Sequence, residues 1–320
     1  MSELATRAPE TPARRLHDAV LRAWDSDFLY SFRHSPVAVI SAVVVLLVVV
    51  GALFSPWLAP HDPFDLASLS LLDSFKPPVF TNAEAEWAFP LGTDDQGRDV
   101  LSGIMYGTRV SLLVGVLAIG FSLTVGITFG LVAGYVGGAV ESLLMRMADI
   151  QLTFPAILIA LLIDGVARAA LPREFHDKVA LWVLVFAIGI ARWPQFARTV
   201  RGSTLVERGK EYVMAARVIG LSPWKIMATH ILPNVVGPVL VIATLNLGQA
   251  VLDEATLSFL GVGLPPTEPS LGTLIRIGND FLFSGEWWVT IFPGITLAIL
   301  VLSINLLGDW LRDALNPRLR

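Results

Sequence analysis

Between two strongly apolar segments the chain carries EYVMAARVIGLSPWKIMATHILPN, residues 211–234. The stretch has charge, a central Gly220 and a closing Pro233, where its flanks are nearly all aliphatic. Tyr212, Ala215, Ala216 and Ile219 recur at i, i+3, i+4 and i+7, which predicts one face of a short helix. Its two alanines make that face shallow in the middle. Gly220 follows where a left-handed cap closes a helix. Ser222-Pro223 then reads as an N-cap with proline in the first turn, opening a second helix that ends near Pro233. The stretch is a helical hairpin, either a surface connector or a docking element.

Working outward, the setting is a membrane. Of 320 residues, 54% are hydrophobic and 16% charged, and the mean hydropathy is +0.66. A soluble chain this apolar lacks the polar surface to cover its core. Six windows are long and apolar enough to cross a bilayer: roughly 37–59, 110–134, 143–163, 179–198, 235–253 and 289–309. The first is too long for a signal-peptide core and is expected to be an uncleaved anchor. In the third, Arg146 and Asp149 stand one turn apart and are expected to pair at the interface.

Lys and Arg set the orientation. Arg7, Arg14, Arg15, Arg22 and Arg33 precede the first window. Arg198, Arg201, Arg208, Lys210, Arg217 and Lys225 lie between the fourth and fifth, and Arg312, Arg318 and Arg320 follow the sixth. With six spans these three segments share one side, the cytoplasm, so both termini are expected inside. Residues 60–106 hold only Lys76 and Arg98 among many carboxylates and are expected outside. Trp57, Trp182, Trp287, Trp288 and Trp310 lie near the boundaries, as an aromatic belt requires. Leu21, Trp24, Phe28 and Phe32 have helical spacing and predict an amphipathic helix on the inner surface over 15–33, with a solvated linker as the alternative.

Two spans carry further signals. Gly126, Gly130, Gly134 and Gly138 recur every four residues, a face on which another helix packs closely. Asn246, Gln249 and Asp253 share one face of the fifth span, with Glu254 beside it. Intramembrane polar groups either line a watery path or bond neighbouring helices, so these are candidates for a translocation path. Asp253 and Glu254 alternatively sit in the outer headgroup region.

Much chemistry is excluded. The chain has no cysteine, hence no disulfide, thiolate nucleophile or Cys-ligated metal. No G-x-x-x-x-G-K-[ST] loop exists to cradle ATP. The histidines at 17, 34, 61, 176 and 230 lack metal-ligand spacing, so no metal site is expected. The segment 93–99 has the acidic look of a calcium loop without its closing bidentate Glu. Thr93-Asp94-Asp95-Gln96-Gly97 reads instead as a turn, with Asp99 starting a helix. The net charge of −4 gives no support to nucleic-acid binding.

The spacing Ala215-Ala216, three residues, Gly220, then Leu232-Pro233 resembles the "EAA" signature of ABC importer permeases. LGTDDQGRDVLSGIMYGTRVSLLVG (91–115) is similar to the segment before the second span in the dipeptide/oligopeptide/nickel group. DEATLSFLGVGLPP (253–266) and the HILPN ending (230–234) match the same group. Met214 stands where the signature usually has Glu, with Glu211 one turn earlier, and His230 stands where Ile is frequent. The likeness covers most of residues 36–316.

This resemblance implies an all-α polytopic membrane protein with six transmembrane helices in the type I ABC importer permease fold. It implies an N-terminal segment 1–35, a first helix with its external loop over 36–106, a five-helix core over 107–310 and a tail over 311–320. Within the core, the cytoplasmic loop 199–233 is implied to dock on an ATPase through Glu211, Tyr212, Met214, Ala215, Ala216, Arg217, Gly220 and Leu221. Implied partners are a second homologous permease, two ATP-binding subunits that hold ATP and Mg, a periplasmic substrate-binding protein and the lipid bilayer. Peptides are the expected cargo, with nickel or another solute as the alternative. The other class is an ATP-independent channel or secondary carrier, disfavoured because no long internal repeat is visible.

Overall fold

The computed structural model describes residues 27–65, 69–81, 86–265, 267–268 and 270–315. Among these the regular structure is helical, with one isolated bridge between Thr93 and Asp99. The helices are α1 (Asp27–His34), α2 (Pro36–Leu53), α3 (Ser55–Leu58), α4 (Val100–Val136), α5 (Gly138–Leu152), α6 (Ala156–Ala170), α7 (Arg173–Arg208), α8 (Glu211–Val218), α9 (Pro223–Ile226), α10 (Leu232–Phe259), α11 (Leu271–Asn279) and α12 (Trp288–Ala314). Helices α2, α4, α7 and α12, and the run from α9 through α10, are each long and apolar enough to cross a membrane.

The third expected span is not straight. Helices α5 and α6 meet at a 92° bend, because Pro155 offers no N–H to a continuing helix and disfavours helical geometry at the residue before it. The Thr153 hydroxyl caps the break by donating to the Ile150 carbonyl at 2.6 Å. A second proline, Pro194, lies inside α7 and strips the Ile190 carbonyl of its usual donor. The Gln151 amide fills that vacancy from α5, while its oxygen accepts from the Trp193 indole at 2.8 Å. Asp149 pairs with Arg198 of α7 rather than with Arg146. A partner across the helix pair was nearer than one a turn away.

Helices α4 and α7 pack along the glycine face. A Cβ on Gly130 would lie 2.6 Å from the Ala197 carbonyl oxygen. One on Gly126 would sit 2.9 Å from the Trp193 carbonyl oxygen, and one on Gly134 2.7 Å from the Thr204 Cβ. No side chain fits at such spacings, so the glycines set the interhelix distance. Gly138 departs from this face. The α4 helix ends at Gly137, and Gly138 (φ +60°) opens α5 with no neighbour within 4 Å. The core beside this seam holds Ile188, Phe196, Val200, Val235 and Leu257.

At one end of α4 a cap closes over the bundle. Asp99 is the helix N-cap, accepting from the Ser102 N–H at 2.9 Å. Asp94 accepts from the Gln96 and Arg98 N–H groups, each at 2.9 Å, and from Arg98 Nε at 2.6 Å, so its carboxylate is spent on Arg98. Gly97 has φ +77°, and a Cβ there would strike the Ser70 carbonyl, which restricts the turn to glycine. Trp288, expected in the aromatic belt, is instead buried, and its Nε1 donates to the Thr93 carbonyl at 3.0 Å. Trp57 and Trp182 are exposed. At the other end of α12, Phe28 and Phe32 of α1 stack edge-on against Trp310. The rest of the amphipathic stretch, with Leu21 and Trp24, lies outside the described residues.

Candidate functional site

The hairpin lies at the opposite end of α4 from the cap: Arg208 Nη1 donates to the Tyr135 carbonyl at 3.1 Å, and the Arg217 guanidinium sits 5.0 Å above the Tyr135 ring. Lys210 precedes α8 in extended conformation, and Gly220 closes it at φ +81°. The Leu221 N–H returns to the Ala216 carbonyl at 3.1 Å, the bonding of a left-handed glycine cap. Ser222 caps α9, accepting from the Lys225 N–H at 3.4 Å, and Pro223 occupies its first turn.

The second helix does not end near Pro233. It passes through a π turn at Met227–Ile231 and continues as α10 to Phe259. A wide turn moves the backbone away from the ring of Pro233, which would otherwise clash one turn back. The Asn234 amide steadies the junction by donating to the His230 carbonyl at 2.7 Å.

The expected shallow face is split by the structure. Ala216 and Val213 are buried against the chain's own core, together with Ile226, Met227 and Ile231. Tyr212 and Leu221 pack at the edge of that core. Ala215, Glu211, Met214, Arg217 and Gly220 face outward. Ile219, placed by its spacing with Ala216, is 72% exposed, and Val218 beside it 86%. Trp224 from α9 is 65% exposed. The hairpin therefore exposes four apolar side chains, Met214, Val218, Ile219 and Trp224, and the cations Arg217 and Lys225 are exposed on the same two helices. The helix period was legible, but which half of it met the body depended on how α8 sits against α7.

The root of the hairpin is tied by Tyr212. Its hydroxyl donates to Glu207 Oε2 at 2.5 Å and accepts from Asn234 Nδ2 at 3.2 Å, while Lys210 Nζ pairs with Glu207 Oε1 at 2.6 Å. Burial, and then the Glu207 carboxylate, push the Tyr212 phenol up to about 12, so the hydroxyl keeps the proton it donates.

Inside the bundle, the expected path residues separate. Asn246 and Asp253 converge on Arg192 of α7: Arg192 Nε donates to Asp253 Oδ2 at 2.8 Å, Nη2 lies 2.6 Å from the same oxygen, and Nη1 donates to Asn246 Oδ1 at 3.2 Å. Gln249 is exposed and outside this cluster. Arg192 went unremarked in the sequence, although an arginine inside the apolar window 179–198, six residues before the Arg198 at its end, was signal enough. Glu254 lies apart from the Arg192 cluster, in bonds of its own. It is fully buried, accepting from Ser111 Oγ at 2.6 Å and Ser258 Oγ at 2.7 Å. Ser111 Oγ in turn accepts from the Leu271 N–H at 3.2 Å, which joins α4, α10 and α11. Among the described residues no group of three His, Asp or Glu side chains is placed to hold a metal ion.

Comparison with known proteins agrees with this architecture. Residues 126–320 match the family described as binding-protein-dependent transport system inner membrane component, and residues 23–78 match the N-terminal TM domain of oligopeptide transport permease C. The chain is 38% identical over 294 residues to the di/tripeptide transport system permease protein DppC of Pseudomonas aeruginosa, covering 92% of each chain. It is 40% identical over 299 residues to the dipeptide transport system permease protein DppC of Escherichia coli K12, covering 92% of this chain and 93% of that one. Its fold is similar to a chain of the MetNI methionine ABC transporter in inward-facing conformations, with a TM-score of 0.52, 20% identity, and coverage of 66% of this chain and 94% of that chain. A bundle of membrane helices, a projecting hairpin and a family match spanning most of both converge on one assignment: the chain belongs to the inner-membrane components of binding-protein-dependent transport systems.

Proposed function

We propose that this permease forms half of the translocation pathway of an ATP-driven importer of short peptides. The observation that carries the proposal is the hairpin. It buries one set of apolar side chains in its own chain and turns Met214, Val218, Ile219 and Trp224 outward with Arg217 and Lys225 beside them. Apolar side chains exposed together on a short hairpin, with cations beside them, mark a protein contact, and a groove on an ATP-binding subunit is the partner that the resemblance supplies. ATP and Mg bind that subunit. The names of the relatives favour di- and tripeptides as cargo. The hairpin and both termini face the cytoplasm, the 69–99 cap faces the periplasmic binding protein, and a second homologous permease completes the pathway. Gln249, exposed on α10, remains this chain's polar candidate for lining it.

The test is reconstitution of the chain with a second permease, two ATPase subunits and a binding protein in liposomes. Di- and tripeptides should stimulate ATP hydrolysis and enter the vesicles together. Uptake without the ATPase would overturn the importer assignment, and stimulation by nickel but by no peptide would overturn the cargo. Single cysteines at Leu72 and Val218, both strongly exposed, should label from opposite sides of the membrane; labelling from one side sinks the orientation.

A further inference from the structure

Helix α7 enters the hairpin and α10 leaves it, so any push on the hairpin reaches the membrane through these two helices. Two separate polar ties join them. At the root, the Tyr212 hydroxyl bridges Glu207 at the end of α7 and Asn234 at the start of α10. About 22 Å away along α7, Arg192 reaches across to Asp253 and Asn246, two turns apart on α10. The Arg192 side chain is 8% exposed and the Asp253 side chain 22%. Asn246 is further fixed by donating from Nδ2 to the Ile242 carbonyl at 2.9 Å.

Apolar helix faces slide past one another in a bilayer at little cost, because lipid tails replace the lost contacts. A charge-assisted, directional pair has no such substitute in a dry interior. One tie would leave a hinge between α7 and α10; two ties far apart remove both the hinge and the slide. We propose, resting on the reading that the hairpin docks on an ATPase, that Arg192 is a positioning residue that makes α7, the hairpin and α10 one rigid body. Movement imposed on the hairpin then arrives undiminished at the far end of α10. Asn246 and Asp253 serve that joint rather than contacting cargo.

The test uses the complete reconstituted transporter and reads peptide taken up per ATP hydrolysed. R192C/D253C removes both charges together, so neither is left buried alone, and the chain has no cysteine of its own. ATP hydrolysis should persist while the ratio falls about threefold to tenfold. A short bifunctional thiol cross-linker between the two cysteines should then restore it, an outcome that a merely destabilised protein would not give. R192K and N246A, which each loosen only part of the cluster, should lower the ratio less, and they carry the test if the double variant does not assemble. An unchanged ratio in these variants overturns the proposal. So does loss of uptake on cross-linking, which would mean that the pair opens in every cycle. Failure of the docking reading looks different: the unmodified transporter itself would show no ATPase-dependent uptake.

Discussion

The cap over residues 69–99 and the hairpin over 209–231 are both short, mixed-polarity inserts at opposite ends of α4, yet they settle their side chains in contrary ways. In the cap, buried polar groups bond within the chain: Asp94 with Arg98, Asp99 with Ser102, and Thr93 with Trp288 and with the Lys76 N–H at 2.8 Å, while Asp95 Oδ1, Arg98 Nη2 and Asp99 Oδ1 are buried without a hydrogen-bond partner. In the hairpin the polar root is tied, but Val218, Ile219 and Trp224 are left in the open. The cap leaves Leu71, Leu72, Phe80 and Trp87 in the open as well, so what separates the two inserts is the buried side: polar in the cap, with Thr93, Asp94, Arg98 and Asp99, and apolar in the hairpin, with Val213, Ala216 and Ile226. Exposed greasy side chains on either insert mark a surface for another protein.

That contrast can be broken by mutation, and the largest effect falls on the hairpin's inner side. Ala216→Glu buries a charge without a partner and should cost about 3–5 kcal/mol, seen as lost folded yield. Ala215→Glu, one residue away but exposed, should leave thermal unfolding within about 0.5 kcal/mol. Equal effects would erase the distinction between the two faces. In the cap, Asp94→Ala strands the buried Arg98 and should cost about 3 kcal/mol. Hydrogen exchange should rise across 69–99 while the ATPase stays attached; loss of the ATPase would show that the cap is not independent of the docking end.

Replacing Val218 and Ile219 together by Asp should reverse that pattern. The unfolding temperature should hold, while affinity for the ATPase falls about thirtyfold, or about 2 kcal/mol. A lower unfolding temperature with the ATPase still bound would make these side chains part of the fold. The smallest effect is expected at Asp95, whose carboxyl is pushed up by burial and then by the neighbouring Asp94 charge. A group whose folded value is raised stabilises below its unfolded value, and that contribution is lost as pH rises through the raised value. Asp95→Asn should therefore raise stability at neutral pH by less than about 1 kcal/mol. The gain should vanish in acid, and a gain that persists there would assign it to another cause.

How far the chain could be read in advance depended on range. The long apolar runs, the Asp99 helix start and the Gly220 stop are local signals, and each stands where its chemistry required. The glycines at 126, 130 and 134 announced a close approach without naming α7 as the neighbour. What stayed hidden was pairing at a distance. Arg192 meets Asn246 and Asp253 from 54 and 61 positions away, and neither composition nor period links them. The broken third span was hidden otherwise: an apolar window averages over Pro155, although the proline itself was in plain view. Gln249 was assigned to its neighbours' face by helical spacing, but spacing cannot tell which sector of that face a partner helix covers.

The bond from Trp288 to the Thr93 carbonyl joins positions 195 residues apart, and this bears on how the protein is born. Ribosomes add about 5–20 residues per second, so the loop holding Thr93 emerges on the order of 10–40 seconds before the indole that fastens it. Phe28 and Phe32 wait still longer for Trp310. Both ends of the nascent bundle thus stay unlatched until α12 is threaded into the membrane. A chain cut short before α12 carries two open seams, one on each face of the bilayer, for surveillance proteases to recognise.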